Sequence, residues 1–86
     1  MKPVKMMMLD SCPYCQQALN MIETLKQKNP RFQAVSIELI EESREPEKTQ
    51  GYDYWYVPTF FVGGDKLHEG VPTLEKVEAV LDAALS

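Results

Sequence analysis

The 86-residue chain lacks a long apolar segment and has no region with the features of an export signal. No apolar run approaches the roughly 20 residues that a membrane-spanning helix needs. Nothing near the N-terminus combines a basic segment, a long apolar region and a small-residue cleavage site. The sequence therefore predicts a soluble cytoplasmic protein that is neither exported nor associated with a membrane.

The chain also has fewer basic than acidic side chains, with nine Lys and Arg against thirteen Asp and Glu, which gives a formal net charge of -4. An acidic surface disfavours binding to nucleic acid and to anionic lipid. The sequence contains no internal repeat, low-complexity segment or Gly/Ser linker. Since a chain of this length has room for a single core, we predict one domain over residues 1–86.

Cysteine is scarce, and both cysteines fall in one motif, Cys12-Pro13-Tyr14-Cys15. The apolar run 4–9 before the motif is typical of a buried strand. The thiols therefore lie where a strand gives way to a helix, and at this spacing they can form a disulfide within one helical turn. The pattern indicates reversible dithiol chemistry. The helix is indicated by apolar residues that recur at helical spacing: Ala18, Leu19, Ile22 and Leu25.

The position of the motif assigns different roles to the two thiols. Unpaired N–H groups and the positive end of the dipole at a helix N-terminus favour a thiolate at Cys12, which is the predicted nucleophile. Cys15, about one turn further in, is predicted to be less exposed and to resolve the mixed disulfide. Pro13 suits the first helical turn because it has no N–H to lose. Ser11 is a candidate cap for the helix, and the charge of Asp10 would partly oppose the thiolate.

Two other uses of the cysteines are less well supported. Structural zinc needs four ligands, and Cys12, Cys15 and the single His68 fall short unless two chains share the metal. A purely structural disulfide across so short a loop would contribute little to stability. A binding module that holds zinc or an iron-sulfur cluster through Cys12 in a shared site is therefore the alternative to a dithiol enzyme. For the enzyme we predict no required cofactor and no metal.

The rest of the chain predicts the element order βαβαββα. The residues between the last two predicted strands, Gly63-Gly64-Asp65, are typical of a tight turn. The aromatic cluster of Tyr52, Tyr54, Trp55 and Tyr56 either lines a partner surface or packs beneath the helices. The predicted elements are strands at 3–9, 35–39, 59–62 and 66–69, helices at 13–28 and after the cap Thr73, and a charged segment at 41–50 that is a short solvated helix or a loosely ordered stretch.

These elements, with C-P-Y-C after the first strand, Val57-Pro58 before the third and Gly63-Gly64 at the hairpin turn, resemble the glutaredoxins over nearly the whole chain. The resemblance implies a thioredoxin-like α/β fold, with a four-stranded mixed sheet and helices on both faces. It also implies that Pro58 is in the cis form near the dithiol and that the backbone of Val57 pairs with an extended disulfide substrate. Cys12 and Cys15 would be catalytic, supported by Pro13 and Tyr14.

The chain departs from the glutathione-using members of that family at three places. They usually carry a cation three residues before the first cysteine, Thr before Val-Pro, and Gly-Cys-Asp or Gly-Ser-Asp after the fourth strand. This chain has Leu9, Tyr56 and Gly70-Val71-Pro72. Lys48 and the amides of residues 70–73 are the remaining candidates for binding a glutathione carboxylate.

The predicted function is therefore that of a dithiol thiol-disulfide oxidoreductase of glutaredoxin-like type, which reduces disulfides in proteins or small molecules. Its predicted partners are those disulfides and an electron donor, either glutathione or a reductase. Because the usual glutathione contacts are largely missing, glutathione is the less favoured donor.

Overall fold

Four short strands form one mixed sheet in a computed structural model that describes all 86 residues. The strands are β1 (Val4–Met8), β2 (Ile37–Glu41), β3 (Thr59–Val62) and β4 (Asp65–Glu69), and their order across the sheet is β2-β1-β3-β4. β1 runs parallel to β2 and antiparallel to β3, while β3 and β4 form an antiparallel hairpin. The two helices are α1 (Pro13–Lys28) and α2 (Leu74–Leu85).

The predicted boundaries agree with the structure to within one or two residues at most elements. Asn29, directly before Pro30, ends α1, and the Thr73 hydroxyl caps α2 by accepting the N–H of Lys76 at 3.2 Å. Gly63 and Gly64 form the hairpin turn with positive φ angles of 58° and 92°, which two-residue hairpin loops require. β2 begins at Ile37 rather than at residue 35, because a 3-10 turn at Pro30–Ala34 precedes it.

The main core lies on one face of the sheet, where α1 and α2 cover it. Met6 and Met8 of β1 point into this core, and Met7 points to the opposite face. All three methionines are buried and pack in the interior. Neither helix is long and apolar enough to cross a membrane.

The second face of the sheet differs from the prediction, because no α-helix covers it. The charged segment 41–50 forms only a four-residue 3-10 turn at Pro46–Thr49. Glu45 stands before a proline, which disfavours helical backbone, and its φ and ψ are -129° and 53°. The apolar residues of this face, Met7, Ile40 and Phe61, are covered by Tyr52 and Tyr54 from the loop that follows.

Candidate dithiol site

Cys12 is the residue immediately before α1, and both cysteines are free thiols. Its Sγ accepts the backbone N–H of Cys15 at 3.2 Å, so this sulfur is itself the N-cap of the helix. The prediction that Ser11 caps the helix is therefore wrong. Because Pro13 has its φ restricted and occupies the first helical position, the capping position falls on residue 12. The sulfur lies next to the unpaired amides of the helix N-terminus, where negative charge is favoured.

Cys15 lies one turn inside the helix and is fully buried, whereas Cys12 is partly exposed. Burial, followed by the hydrogen bond with Cys12, raises the pKa of the Cys15 thiol to about 12. Pro13 and Tyr14 are exposed between the two cysteines. The arrangement gives a substrate direct access to the first sulfur only.

Val57 and Pro58 lie beside the dithiol, although they are far from it in the sequence. The Val57–Pro58 peptide bond is cis, which confirms the prediction for this bond. The carbonyl oxygen of Val57 is 3.8 Å from Sγ of Cys12. The N–H of Val57 makes no hydrogen bond within the chain, and its carbonyl accepts only the Cys12 thiol. One backbone unit next to Cys12 is therefore free to pair with another chain.

A buried carboxylate that the sequence analysis did not assign holds the loop that leads into Cys12. Glu41, at the end of β2, is 5% exposed. Its carboxylate accepts the N–H of Asp10 at 2.8 Å, and the N–H and hydroxyl of Ser43 at 2.7 and 2.6 Å. The Ser43 hydroxyl and the Asp10 amide lower the pKa of Glu41 to about 2. A glutamate at the end of a strand, with a serine two positions later, is the only local signal for such a contact.

Asp10 does not act on the dithiol as an uncompensated charge. Its carboxylate forms an ion pair with Arg44, which approaches from the turn after β2. The opposing charge expected beside Cys12 is therefore matched by a guanidinium. Because Arg44 is already paired with Asp10, its charge is not available to bind the carboxylate of a ligand.

The aromatic cluster does not pack beneath the helices, which was one of the two roles that the sequence left open, because its packed members lie on the opposite face of the sheet. Tyr52 and Tyr54 pack against Phe61, with ring centroids 4.8 and 6.3 Å apart. Trp55 and Tyr56 are instead 85% and 70% exposed, directly before Val57. The backbone N–H groups of these two exposed residues are bound by Glu69, the last residue of β4. Sequence patterns gave no indication of this contact.

Of the candidate contacts for glutathione, Lys48 does not lie near Cys12, and the N–H of Gly70 is bound to the carbonyl oxygen of Pro58. Lys48 pairs with Glu45 at 2.7 Å and lies 3.7 Å from Glu38, which is in the N-terminal half of β2. Because β1 and β2 are parallel, that half of β2 is at the opposite end of the sheet from Cys12. Tyr56 and Val71 are exposed but bring no charge.

His68, considered above as a zinc ligand, is buried in β4, and its Nε2 lies 2.9 Å from the carbonyl oxygen of Gly70. The structure contains no group of three or more His, Cys, Asp or Glu side chains that could hold a metal ion. His68 thus contributes to the turn after β4 rather than to a cluster with the cysteines.

Comparisons with known proteins place these features among related chains. A family model described as a thioredoxin domain matches residues 2–82. Thioredoxin from Methanocaldococcus jannaschii is 36% identical over 70 residues, which cover 80% of each chain. The solved structure of human ERp44 in a zinc-bound form superposes with a TM-score of 0.58 at 19% identity, over 98% of this chain. This chain spans only 25% of that protein, and the likeness concerns the fold alone.

Proposed function

Because the chain belongs to the thioredoxin-domain family, we propose that it is a small dithiol oxidoreductase that reduces disulfides in proteins through Cys12 and Cys15. The fold predicted from the sequence, a thioredoxin-like α/β fold with a four-stranded mixed sheet, is confirmed. The proposal is supported chiefly by one observation. A partly exposed sulfur caps α1, a buried second thiol lies one turn behind it, and an unpaired backbone unit lies next to it.

The proposed reaction proceeds in two exchanges. The Cys12 thiolate attacks one sulfur of the substrate disulfide, forms a mixed disulfide and releases the first substrate thiolate. Cys15 then loses its proton and attacks the sulfur of Cys12, which releases the second substrate thiolate and leaves a Cys12–Cys15 disulfide. Two electrons have passed to the substrate. An external dithiol or thiol reductant must return them.

The burial of Cys15 supports this order of events. A thiol with a pKa of about 12 is almost wholly protonated at neutral pH and does not compete with Cys12 for the incoming disulfide. It becomes the attacking group only when the mixed disulfide holds a good leaving sulfur within reach. The exposed positions of Pro13 and Tyr14 support a role for them at the rim of the site.

We further propose that the electron donor is a dithiol reductase rather than glutathione, so that the chain is glutaredoxin-like in its C-P-Y-C motif but not in its donor. The supporting observation is that Arg44 and Lys48 are both engaged by carboxylates, and that Leu9, Tyr56 and Val71 supply no charge for a glutathione carboxylate. On this proposal the partners are disulfide-containing proteins and a cytoplasmic NADPH-dependent reductase.

Two assays test these proposals separately. Turbidity of insulin on reduction of its disulfides, with dithiothreitol as donor, tests the oxidoreductase, with Cys12→Ser as the inactive control. Stopped-flow reduction of the oxidised protein by glutathione, beside reduction by NADPH with thioredoxin reductase, tests the donor. Absence of insulin reduction would refute the first proposal, and faster reduction by physiological glutathione would refute the second.

A further inference from the structure

One carboxylate of β4 binds the backbone amides of the two residues before Val57. The carboxylate oxygen Oε2 of Glu69 accepts the N–H of Trp55 at 2.5 Å and the N–H of Tyr56 at 2.9 Å. The other oxygen, Oε1, accepts the ammonium of Lys66 at 2.8 Å. The Glu69 side chain is only 19% exposed, so these contacts are partly shielded from water. Hydrogen bonds to an ionised acceptor are the stronger kind.

A second contact completes the hold on Tyr56. The buried hydroxyl of Thr59 donates to the carbonyl oxygen of Tyr56. The amides of Trp55 and Tyr56 and the carbonyl of Tyr56 are thus all satisfied within the chain. The next residue, Val57, retains a free N–H and a carbonyl that meets only the Cys12 thiol. The contacts of Glu69 and Thr59 therefore end where the unpaired backbone unit beside the dithiol begins.

We propose that Glu69 is a positioning residue for substrate binding: it holds the Trp55–Val57 segment so that the free backbone unit of Val57 pairs with an extended peptide that carries the target disulfide. The inference rests on the proposed function and deepens it, since it separates two classes of substrate. A peptide disulfide has backbone groups that pair with Val57. A small disulfide without a peptide backbone has none and meets only the sulfur of Cys12.

The chemistry of thiol exchange does not require Glu69. The carboxylate contacts amides that precede Val57, and neither of its oxygens has Cys12 or Cys15 as a partner. Its loss should therefore affect how tightly a peptide is held, while the reactivity of the Cys12 thiolate stays the same. Peptide binding should be weaker without Glu69 because the Trp55–Val57 segment would then have to become ordered on binding, which costs conformational entropy.

The test is a single-turnover experiment on the reduced protein with two disulfides. One is a disulfide-linked dimer of a short peptide with a central cysteine, and the other is 2-hydroxyethyl disulfide. In Glu69→Ala we expect the half-saturating peptide concentration to rise about five- to tenfold, with the limiting rate changed less than about twofold. The second-order rate constant with 2-hydroxyethyl disulfide should stay within about twofold of that of the natural protein.

Three further variants sharpen the assignment. Glu69→Gln keeps an acceptor oxygen for the amides but loses the charge, so its effect on the peptide should be intermediate. Lys66→Met removes the ion pair with Glu69 and a hydrogen bond to the carbonyl oxygen of Asp53 but leaves the amide contacts, so its effect should be smaller than that of Glu69→Ala. Glu78→Ala removes an exposed glutamate of α2 that makes no ion pair, and it should behave like the natural protein.

Amide hydrogen exchange supplies a structural readout that does not depend on turnover. Protection of the Trp55 and Tyr56 amides should fall in Glu69→Ala, while protection in β1 and β3 is retained. Trp55 is the only tryptophan of the chain, so its fluorescence anisotropy reports the mobility of this segment directly. Increased mobility of Trp55 in the variant is the expected result.

Each outcome supports or overturns the inference. An unchanged half-saturating peptide concentration in Glu69→Ala, or an equal loss with both disulfides, would overturn it. If Glu69→Ala does not fold, Glu69→Gln decides by the same selective effect or its absence. Failure of the natural protein to react with either disulfide would instead refute the proposed function, which is a different result.

Discussion

At the scale of single residues, the two thiols differ in access and in proton affinity although they share one helical turn. Cys12 is partly exposed and caps α1, whereas Cys15 is buried with a pKa of about 12. An exposed sulfur at a helix N-terminus is suited to attack an external disulfide, and a buried thiol is suited to a second, internal attack. The asymmetry of the pair therefore follows from their positions relative to α1, one before its first residue and one inside its first turn.

This asymmetry predicts opposite outcomes for the two serine variants. Cys12→Ser should abolish disulfide reductase activity, because the attacking sulfur is gone. Cys15→Ser should accumulate a mixed disulfide on Cys12 and retain activity on substrates that a second thiol from solution can release. Mass spectrometry of the Cys15→Ser protein after mixing with a disulfide substrate would locate the adduct. Absence of an adduct on Cys12 would contradict the assignment of the nucleophile.

A second prediction at this scale concerns Leu9, at the position where glutathione-using glutaredoxins usually carry a cation. Leu9→Lys should lower the glutathione concentration needed for half-maximal turnover by a factor of a few, because an exposed ion pair contributes roughly 0 to 1 kcal/mol. The measurement is the glutathione dependence of a mixed-disulfide assay, with a protein disulfide as the control substrate.

The matched control for that variant is Leu67→Lys, which places the same charge at a leucine of β4 that is 47% exposed. It should leave the glutathione dependence unchanged. Saturable turnover with glutathione in the natural protein, at the level of glutathione-specific enzymes, would show that another part of the chain binds the tripeptide.

At the scale of elements, two carboxylates at strand ends fix the two loops that meet at the dithiol. Glu41 at the end of β2 binds the amide of Asp10, and Glu69 at the end of β4 binds the amides of Trp55 and Tyr56. Both strands end at the edge of the sheet where Cys12 lies. The pKa of each carboxyl group is lowered to about 2, chiefly by the hydrogen bond from Ser43 at Glu41 and by that from Lys66 at Glu69, because these bonds favour the charged form.

The lowered pKa of Glu41 predicts how stability responds to acid. A carboxyl whose folded pKa is below its ordinary value of 4.5 stabilises the fold fully above about pH 4.5. That contribution is lost as the pH falls from 4.5 towards 2. Glu41→Gln should therefore be less stable than the natural protein at pH 7, and the difference should shrink through this range.

Urea unfolding at a series of pH values measures this difference. Because Glu69 titrates over the same range, Glu41→Gln should flatten the acid response only in part. Glu23→Gln, at an exposed position of α1, is the matched control and should follow the natural protein. A constant stability difference between pH 7 and 2 would show that Glu41 does not act through its charge.

These elements also show which features could be predicted from the sequence. The dithiol site was predictable because strand, motif and helix are contiguous, and each element has its own local pattern. Glu41 contacts a residue 31 positions away, and Glu69 contacts residues 13 and 14 positions away. Hydrophobic periodicity along the sequence does not predict contacts of this kind. The charged segment after β2 has no apolar face, so its pattern did not distinguish a solvated helix from the turn that forms.

At the scale of the whole molecule, the sheet has two unequal cores. One face carries a core of fifteen buried residues closed by α1 and α2, and the other carries Met7, Ile40 and Phe61 under two tyrosines of a loop. Adjacent residues of β3 enter different cores, since Phe60 faces the helices and Phe61 faces the tyrosines. Two helices cover one face, and a loop connected to the Trp55–Val57 segment covers the other.

This inequality predicts different costs for the same substitution at neighbouring positions. Phe60→Ala leaves a cavity among fixed helices and should cost about 3 to 5 kcal/mol, a large share of the roughly 5 to 15 kcal/mol that stabilises a small domain. Phe61→Ala should cost about half as much, because the loop carrying Tyr52 and Tyr54 can collapse into the space. Urea unfolding would measure both, with Leu67→Ala as an exposed control. Equal losses of unfolding free energy in the two variants would contradict this prediction. They would mean that the loop over Phe61 resists collapse as strongly as the helices over Phe60.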